Sequence, residues 1–133
     1  MAVPPLAGRL KSVLDGVTAV TEEDDGALTV RHDGTLASLR VVSVADDLEL
    51  VSLSQILAWD IPVDRAVRAK VAEYARDTML GTVALVEKKR IGEVLLRYNF
   101  PGNGLSDGAL RTLILMVLST GADVRRRLAE VGG

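Results

Sequence analysis

The residues whose spacing most resembles a chemical motif run from Gly102 to Gly108 and read Gly-Asn-Gly-Leu-Ser-Asp-Gly. They follow a predicted strand and open a predicted helix, which is the setting in which a glycine-rich loop holds a dinucleotide phosphate. Such a site also needs a second parallel strand that ends in an acidic residue for the ribose. The remaining residues, 109–133, are almost all predicted to be helical. We therefore interpret the segment as an ordinary loop and helix start.

His32 and Asp33 form the second candidate, because a His–Asp pair can orient a general base. The chain has no cysteine, and His32 is its one histidine, so neither a thiolate nucleophile nor a multi-histidine metal site can form within one chain. The acidic turns 22–25 and 46–47 lack the offsets of a calcium loop. We predict no catalytic, cofactor-binding or metal-ligating residue, and no cofactor.

The charge pattern argues against a nucleic-acid partner. The net charge is −2, and the basic clusters are Lys88-Lys89-Arg90 at a predicted hairpin tip and Arg125-Arg126-Arg127 at the end of a predicted helix. The chain holds only one Trp, two Tyr and one Phe, too few for a platform on which bases stack. A basic footprint of the kind that phosphate contacts require is missing.

Composition also sets the expected compartment. The longest apolar run, 113–118, is far shorter than the ~20 residues of a membrane-spanning helix. The N-terminal residues do not read as a secretory signal. We expect a cytoplasmic protein with no membrane partner, folded as one domain over residues 1–133. The preference for arginine over lysine is typical of a GC-rich bacterial genome.

The first half of the chain predicts one helix and a three-stranded meander. A stripe at helical spacing predicts a helix that stops at Gly16, and its members are Leu6, Leu10, Val13, Leu14 and Val17. Strands are predicted over 27–31, 36–44 and 48–57, with a short extra strand possible over 17–21. The Asp33-Gly34 pair indicates a tight hairpin. A change in apolar parity at Leu50 and Val51 predicts a bulge or a bend in the third strand.

The second half predicts a helix, a hairpin and a long final helix. Asp60 or Asp64 caps a helix that reaches Thr78, and strands over 82–87 and 91–100 follow. Ser106 caps the last helix, over 107–130. The order α-βββ-α-ββ-α predicts an α+β fold, with an antiparallel sheet of about five strands and helices at the N-terminus, middle and C-terminus.

We expect the aliphatic residues to exceed what one small sheet can bury. Residues 113–118 are apolar around the whole helix, and the strand 36–44 is apolar on both faces. Exposed surfaces of that size are usually covered by a partner. We therefore predict a homodimer. The predicted self-association or partner surface is Leu39, Val41, Leu113, Ile114, Val117 and Leu118.

The order of elements and several short phrases resemble the YbjN-like family and, more distantly, the type III secretion chaperone-like fold. The phrases are residues 26–30 (Gly-Ala-Leu-Thr-Val), 48–53 (Leu-Glu-Leu-Val-Ser-Leu), 60–62 (Asp-Ile-Pro) and 80–83 (Leu-Gly-Thr-Val). The resemblance covers nearly the whole chain. It implies a compact α+β homodimer that binds protein, including client proteins in the secretion chaperones, and performs no chemistry.

These inferences give one leading function and two alternatives. The leading hypothesis is a non-enzymatic protein-binding module of chaperone-like or regulatory type that acts as a homodimer. The first alternative is a small-molecule-binding sensory domain, with a pocket between the sheet and the last helix beside the polar loop 99–106. The second is an enzyme that uses carboxylates brought together only by the fold.

Overall fold

A computed structural model describes residues 5–131, which form three helices and one sheet. The helices are α1 (Leu6–Leu14), α2 (Arg65–Asp77) and α3 (Asp107–Val131). The strands are β1 (Ala19–Glu22), β2 (Leu28–His32), β3 (Thr35–Ala45), β4 (Leu48–Pro62), β5 (Thr82–Lys88) and β6 (Ile91–Pro101). The α+β class and the order of helices and strands are confirmed. The sheet has six strands rather than about five, because residues 19–22 pair with β2.

The sheet is antiparallel throughout, in the order β1-β2-β3-β4-β6-β5. Its tightest connection is the predicted hairpin between β2 and β3, where Asp33 and Gly34 both have positive φ, 45° and 80°. Two consecutive positive φ values match the right-handed twist of the flanking strands, which explains why an Asp-Gly pair occurs there.

The bulges of the sheet lie elsewhere than at the predicted position. Leu50 and Val51 pair in continuous register with Val42 and Val41 of β3, so no bulge separates them. The register shifts instead between Ser43 and Ala45, and within 56–61 of β4. The apolar parity changes at Leu50 because β4 carries apolar side chains on both of its faces there, and not because a residue is inserted.

Helix α1 is shorter than its apolar stripe. It ends at Leu14, and Val17 is half exposed beyond a turn that Gly16 makes with a φ of 85°. Val17 therefore lies at helical spacing from Val13 and Leu10 in the sequence but is not part of α1. Pro5 precedes the first turn, where a missing N–H costs no hydrogen bond.

Helices α2 and α3 each begin at a capping residue that the sequence predicted. The Val67 N–H donates to Asp64 Oδ1 at 2.9 Å, and the Ala109 N–H donates to Ser106 Oγ at 3.1 Å. Each cap satisfies one of the N–H groups that lack a partner in a first helical turn. Asp64, and not Asp60, is therefore the cap of α2.

All three helices pack on one face of the sheet, and α3 lies against α1 and α2 as well as the strands. This arrangement covers α3 on several sides, so Ile114, Val117 and Leu118 have no exposed surface, while Met116 is half exposed. Among residues 5–131, no helix combines the length and the hydropathy that a bilayer crossing requires.

The opposite face of the sheet, here called the outer face, carries no helix of the described residues. Its strands place a central apolar row in register, made of Leu36, Ile56, Leu95 and Ala84 on β3, β4, β6 and β5. Leu95 is only 9% exposed, yet it lies outside the main core cluster. The row is therefore a second, small apolar layer.

Candidate functional site

A groove lies between the end of β4, the start of α2 and the end of α3. Its volume is about 460 Å³, within the range that holds small ligands. The apolar lining consists of Ala58, Ile61, Pro62, Val67, Leu128 and Ala129, and the polar lining of Asp64, Arg125 and Arg126. We call this the α2–α3 groove.

The irregular end of β4 opens this groove. The register shifts between Ile56 and Ala58 and again before Ile61 bend the strand, and Asp60 has a φ of 53°. A strand that bends in this way turns consecutive side chains away from simple alternation. Leu57 still follows the alternation of β4 and is fully buried, whereas Ala58 lines the groove.

Arg125 is half-buried at the rim and is held by β4 and by the β2–β3 turn. Its Nη1 donates to the Leu57 carbonyl at 2.9 Å, and its guanidinium lies 6.0 Å from the centre of the Trp59 ring. Its Nε passes so close to Gly34 that a Cβ there would lie 2.8 Å away. Within residues 5–131, no carboxylate lies within 4.0 Å of this guanidinium.

The other charged groups of the rim are already engaged. Arg126 lies 3.5 Å from Asp123 on the same helix, and Asp123 also pairs with Arg127 at 3.0 Å. Asp64 caps α2 through one carboxylate oxygen. Arg125 is thus the rim cation whose charge has no acidic partner in the described part of the chain.

The polar groups of the glycine-rich loop before α3 make hydrogen bonds to other parts of the chain. Arg9 of α1, which is 9% exposed, donates to the carboxylate of Asp107 at 2.8 Å and to the Leu105 carbonyl. Asn103 donates to the Asp47 carbonyl at 2.7 Å and accepts from the Glu49 N–H at 3.1 Å. The interpretation of this segment as a structural loop fits these contacts.

The same loop contains a Gly-x-Ser-x-Gly spacing at Gly104, Ser106 and Gly108, between a strand and a helix. That spacing and setting are typical of a serine nucleophile. However, Ser106 lies at the start of α3. His32 is two residues before Gly34, whose backbone lies against Arg125 near the end of the same helix. The rise of a helix separates positions 106 and 125 by about 28 Å. The fold therefore does not bring this serine to the histidine, and Ser106 serves as the helix cap.

The remaining polar candidates lie at hairpin turns. His32 is 3.7 Å from Asp33, whose side chain is exposed. In the acidic turn 22–25, Asp25 accepts from the Ala27 N–H and pairs with Arg40, and these contacts lower the pKa of Asp25 below its usual value. Within residues 5–131, no three His, Asp or Glu side chains come together in a way that could hold a metal ion.

The six residues predicted to form a partner surface lie mostly inside a single chain. Leu39, Ile114, Val117 and Leu118 are at most 1% exposed, and Val41 and Leu113 are half-buried against the same core. The reason is that α1, α2 and the sheet surround α3. The fully buried four offer no area to a partner in this structure, and a partner surface at Val41 and Leu113 stays a prediction.

Similarity to solved structures concerns the fold as a whole. The structure matches the crystal structure of YbjN, a proposed transcription regulator from E. coli, with a TM-score of 0.66. The match covers 93% of this chain and 90% of YbjN, at 16% sequence identity. The chain has the YbjN fold. No protein-family model matches the sequence, and no curated protein does.

The similarity to YbjN over nearly the whole chain confirms the YbjN-like fold that the sequence resemblance indicated. The relation to type III secretion chaperones stays a prediction. Sequence reasoning missed the α2–α3 groove, because Trp59 and Arg125 are 66 positions apart and only the fold brings them together. The pocket predicted beside the loop 99–106 lies at the N-terminal end of α3, whereas the α2–α3 groove lies at the C-terminal end of that helix.

Proposed function

We propose that this protein is a non-enzymatic regulatory module that binds another protein through the outer face of its sheet and acts as a homodimer. The observation that carries the proposal is the outer face itself, which no helix of residues 5–131 covers. YbjN, which shares the fold, is a proposed transcription regulator. That description supports a regulatory role over a chaperone role.

The outer face offers a protein partner apolar, polar and charged side chains. The apolar row is flanked by a polar row, in register on five strands, made of Thr29, Ser38, Ser54, Arg97 and Thr82. Arg31 and Arg40 also lie on this face. Arg40 is paired with Asp25 at 2.7 Å, and Asp60 and Glu93 line a pocket with Val86 and Lys88, so the face presents charges of both signs. Complementary charge steers association and fixes orientation.

A matched pair of variants tests the partner surface. Arg97 is exposed on the outer face, and Arg76 is exposed on α2, on the helix side. We expect a protein captured by the wild-type chain to be lost by Arg97→Glu and retained by Arg76→Glu, as measured by quantitative mass spectrometry. Equal retention by both variants contradicts the assignment, as does the recovery of nucleic acid as the partner. Turnover of a substrate that survives repurification contradicts the non-enzymatic role.

The edge of β3 supports the homodimer. β2 pairs with β3 only as far as Leu39, so residues 40–45 have a strand on one side alone. Val42 and Val44 on this edge are 47% and 56% exposed. An open edge with apolar side chains is a template for pairing with another chain.

Sedimentation velocity over a range of protein concentrations tests the homodimer. We expect a dimer for the wild-type chain and a monomer for Val42→Lys, because a charge on the open edge blocks strand pairing. Val17→Lys is the control, since Val17 is 50% exposed but lies outside the sheet. A wild-type chain that stays monomeric at every concentration contradicts this part of the proposal.

A further inference from the structure

We infer that the α2–α3 groove is a binding site for a small amphipathic carboxylate, whose apolar part fills the groove while Arg125 binds its anionic head. This site is distinct from the outer face, because the groove lies on the helix side of the sheet. The inference therefore does not depend on the proposed protein partner.

The first argument is the unmatched charge of Arg125. Removing a guanidinium from water is costly unless an acceptor or an anion compensates it. Arg125 is half-buried, and within residues 5–131 its one side-chain hydrogen bond goes to the Leu57 carbonyl. That bond uses one of five N–H donors. The side chain thus retains donors in the planar arrangement that suits a carboxylate.

The second argument is that Arg125 is already held in place. The Leu57 carbonyl and the Trp59 ring of β4, and the backbone at Gly34 in the β2–β3 turn, lie against it from two separate elements. A cation that is fixed before the ligand arrives loses less conformational freedom on binding than a free surface arginine. Arg126 and Arg127 differ in this respect, because both are exposed and pair with Asp123.

The third argument is the chemistry of the groove floor. Six apolar side chains line it, and its one acidic residue, Asp64, is used as a helix cap. A volume of about 460 Å³ suits a ligand of small-molecule size. An apolar body with a single negative end matches this lining, whereas a sugar or a nucleotide would leave several polar groups without partners.

Decanoate and decan-1-ol are the probes, because they share a chain length and differ in charge. Binding is followed on the full chain by the fluorescence of Trp59, the only tryptophan, and by backbone amide shifts. We expect decanoate to bind and to shift amides of Ala58, Val67 and Ala129. Arg125→Met should weaken the binding of decanoate about tenfold or more, which is the scale of one charge-assisted hydrogen bond. The same variant should change the affinity for decanol less than about twofold.

Three further variants keep the test decisive. Arg111→Met is the control, since Arg111 is exposed near the other end of α3 and should leave both affinities unchanged. Arg125→Lys should recover part of the decanoate affinity. Ala129→Phe should fill the groove and abolish the binding of both ligands while leaving Arg125 intact. The inference is overturned if decanoate does not bind, if it shifts amides elsewhere, or if Arg125→Met weakens decanol equally.

Discussion

Gly121 of α3 lies directly against the side-chain amide of Gln55 on β4. A Cβ on Gly121 would be 2.7 Å from Gln55 Nε2, and closer still to Cδ and Oε1. Gln55 is fully buried, and its Nε2 donates to Thr35 Oγ1 at 2.8 Å and to the Leu118 carbonyl at 3.0 Å. The missing side chain of Gly121 thus sets how closely the last helix approaches the sheet.

Replacing this glycine should destabilise the protein. Alanine favours a helix over glycine by about 1 kcal/mol, but here its methyl group has no space and the helix must move away from Gln55. We expect Gly121→Ala to lower the free energy of unfolding by about 2 kcal/mol, measured in urea. Gly108→Ala is the control, because nothing lies within 4 Å of that position in the same helix. Equal stability of the two variants would disprove the close contact.

The contact between Gln55 and Gly121 should appear as energetic coupling. Gln55→Ala alone leaves a cavity and should cost about 2–3 kcal/mol. The same truncation removes the atoms that a methyl group at position 121 would strike. We expect the double variant to be more stable than the sum of the single changes predicts, by about 1 kcal/mol, in a double-mutant cycle. Strict additivity would show that the two side chains do not meet.

Arg9 should contribute to stability mainly through its carbonyl contacts. Arg9→Met removes donors from the Leu105 and Asn103 carbonyls and should cost about 2 kcal/mol. Asp107→Asn leaves those contacts, and its side chain is 66% exposed, so it should cost less than about 1 kcal/mol. Chemical denaturation of both variants distinguishes the two contributions. A larger loss for Asp107→Asn would assign the stabilisation to the ion pair.

The turn at Gly34 should position Arg125. Gly34 has a φ of 80° and Gly26 a φ of 88°, so an alanine at either site costs about 1–2 kcal/mol of backbone energy. Only at Gly34 does the added methyl group meet a side chain, that of Arg125. We expect Gly34→Ala to change the Trp59 fluorescence spectrum and Gly26→Ala to leave it unaltered. Identical spectra would mean that Gly34 does not position Arg125.

Asp25 should titrate below the usual range of a carboxyl group. The Ala27 N–H and Arg40 both favour its charged form, which lowers its pKa in the folded chain. The ionised group therefore stabilises the fold above the unfolded-state pKa, and this contribution disappears as the pH falls through the folded-state pKa. Carbon-detected NMR titration should show the low pKa, and Arg40→Gln should raise it. A pKa for Asp25 that does not respond to this change would exclude the Arg40 contact.

The sequence identified most elements because local signals and apolar periods agree along this chain. The Asp33-Gly34 turn and the caps at Asp64 and Ser106 needed only neighbours within three positions. The sequence pattern also places two polar residues at positions where a core residue is expected. Arg9 interrupts the apolar stripe of α1, and Gln55 has the same strand parity as Leu53 and Leu57. Each marks a place where a buried polar group makes specific contacts.

Amino-acid order alone determined the α+β class, the order of helices and strands and the β2–β3 hairpin, because these depend on periodicity and on backbone preferences of single residues. Only the tertiary structure decided what covers each apolar surface. It buried Ile114 and Leu118 within one chain, placed no helix of residues 5–131 on the outer face, and brought Arg125 to Trp59. Such contacts depend on how elements distant in sequence pack together, and no local pattern encodes that packing.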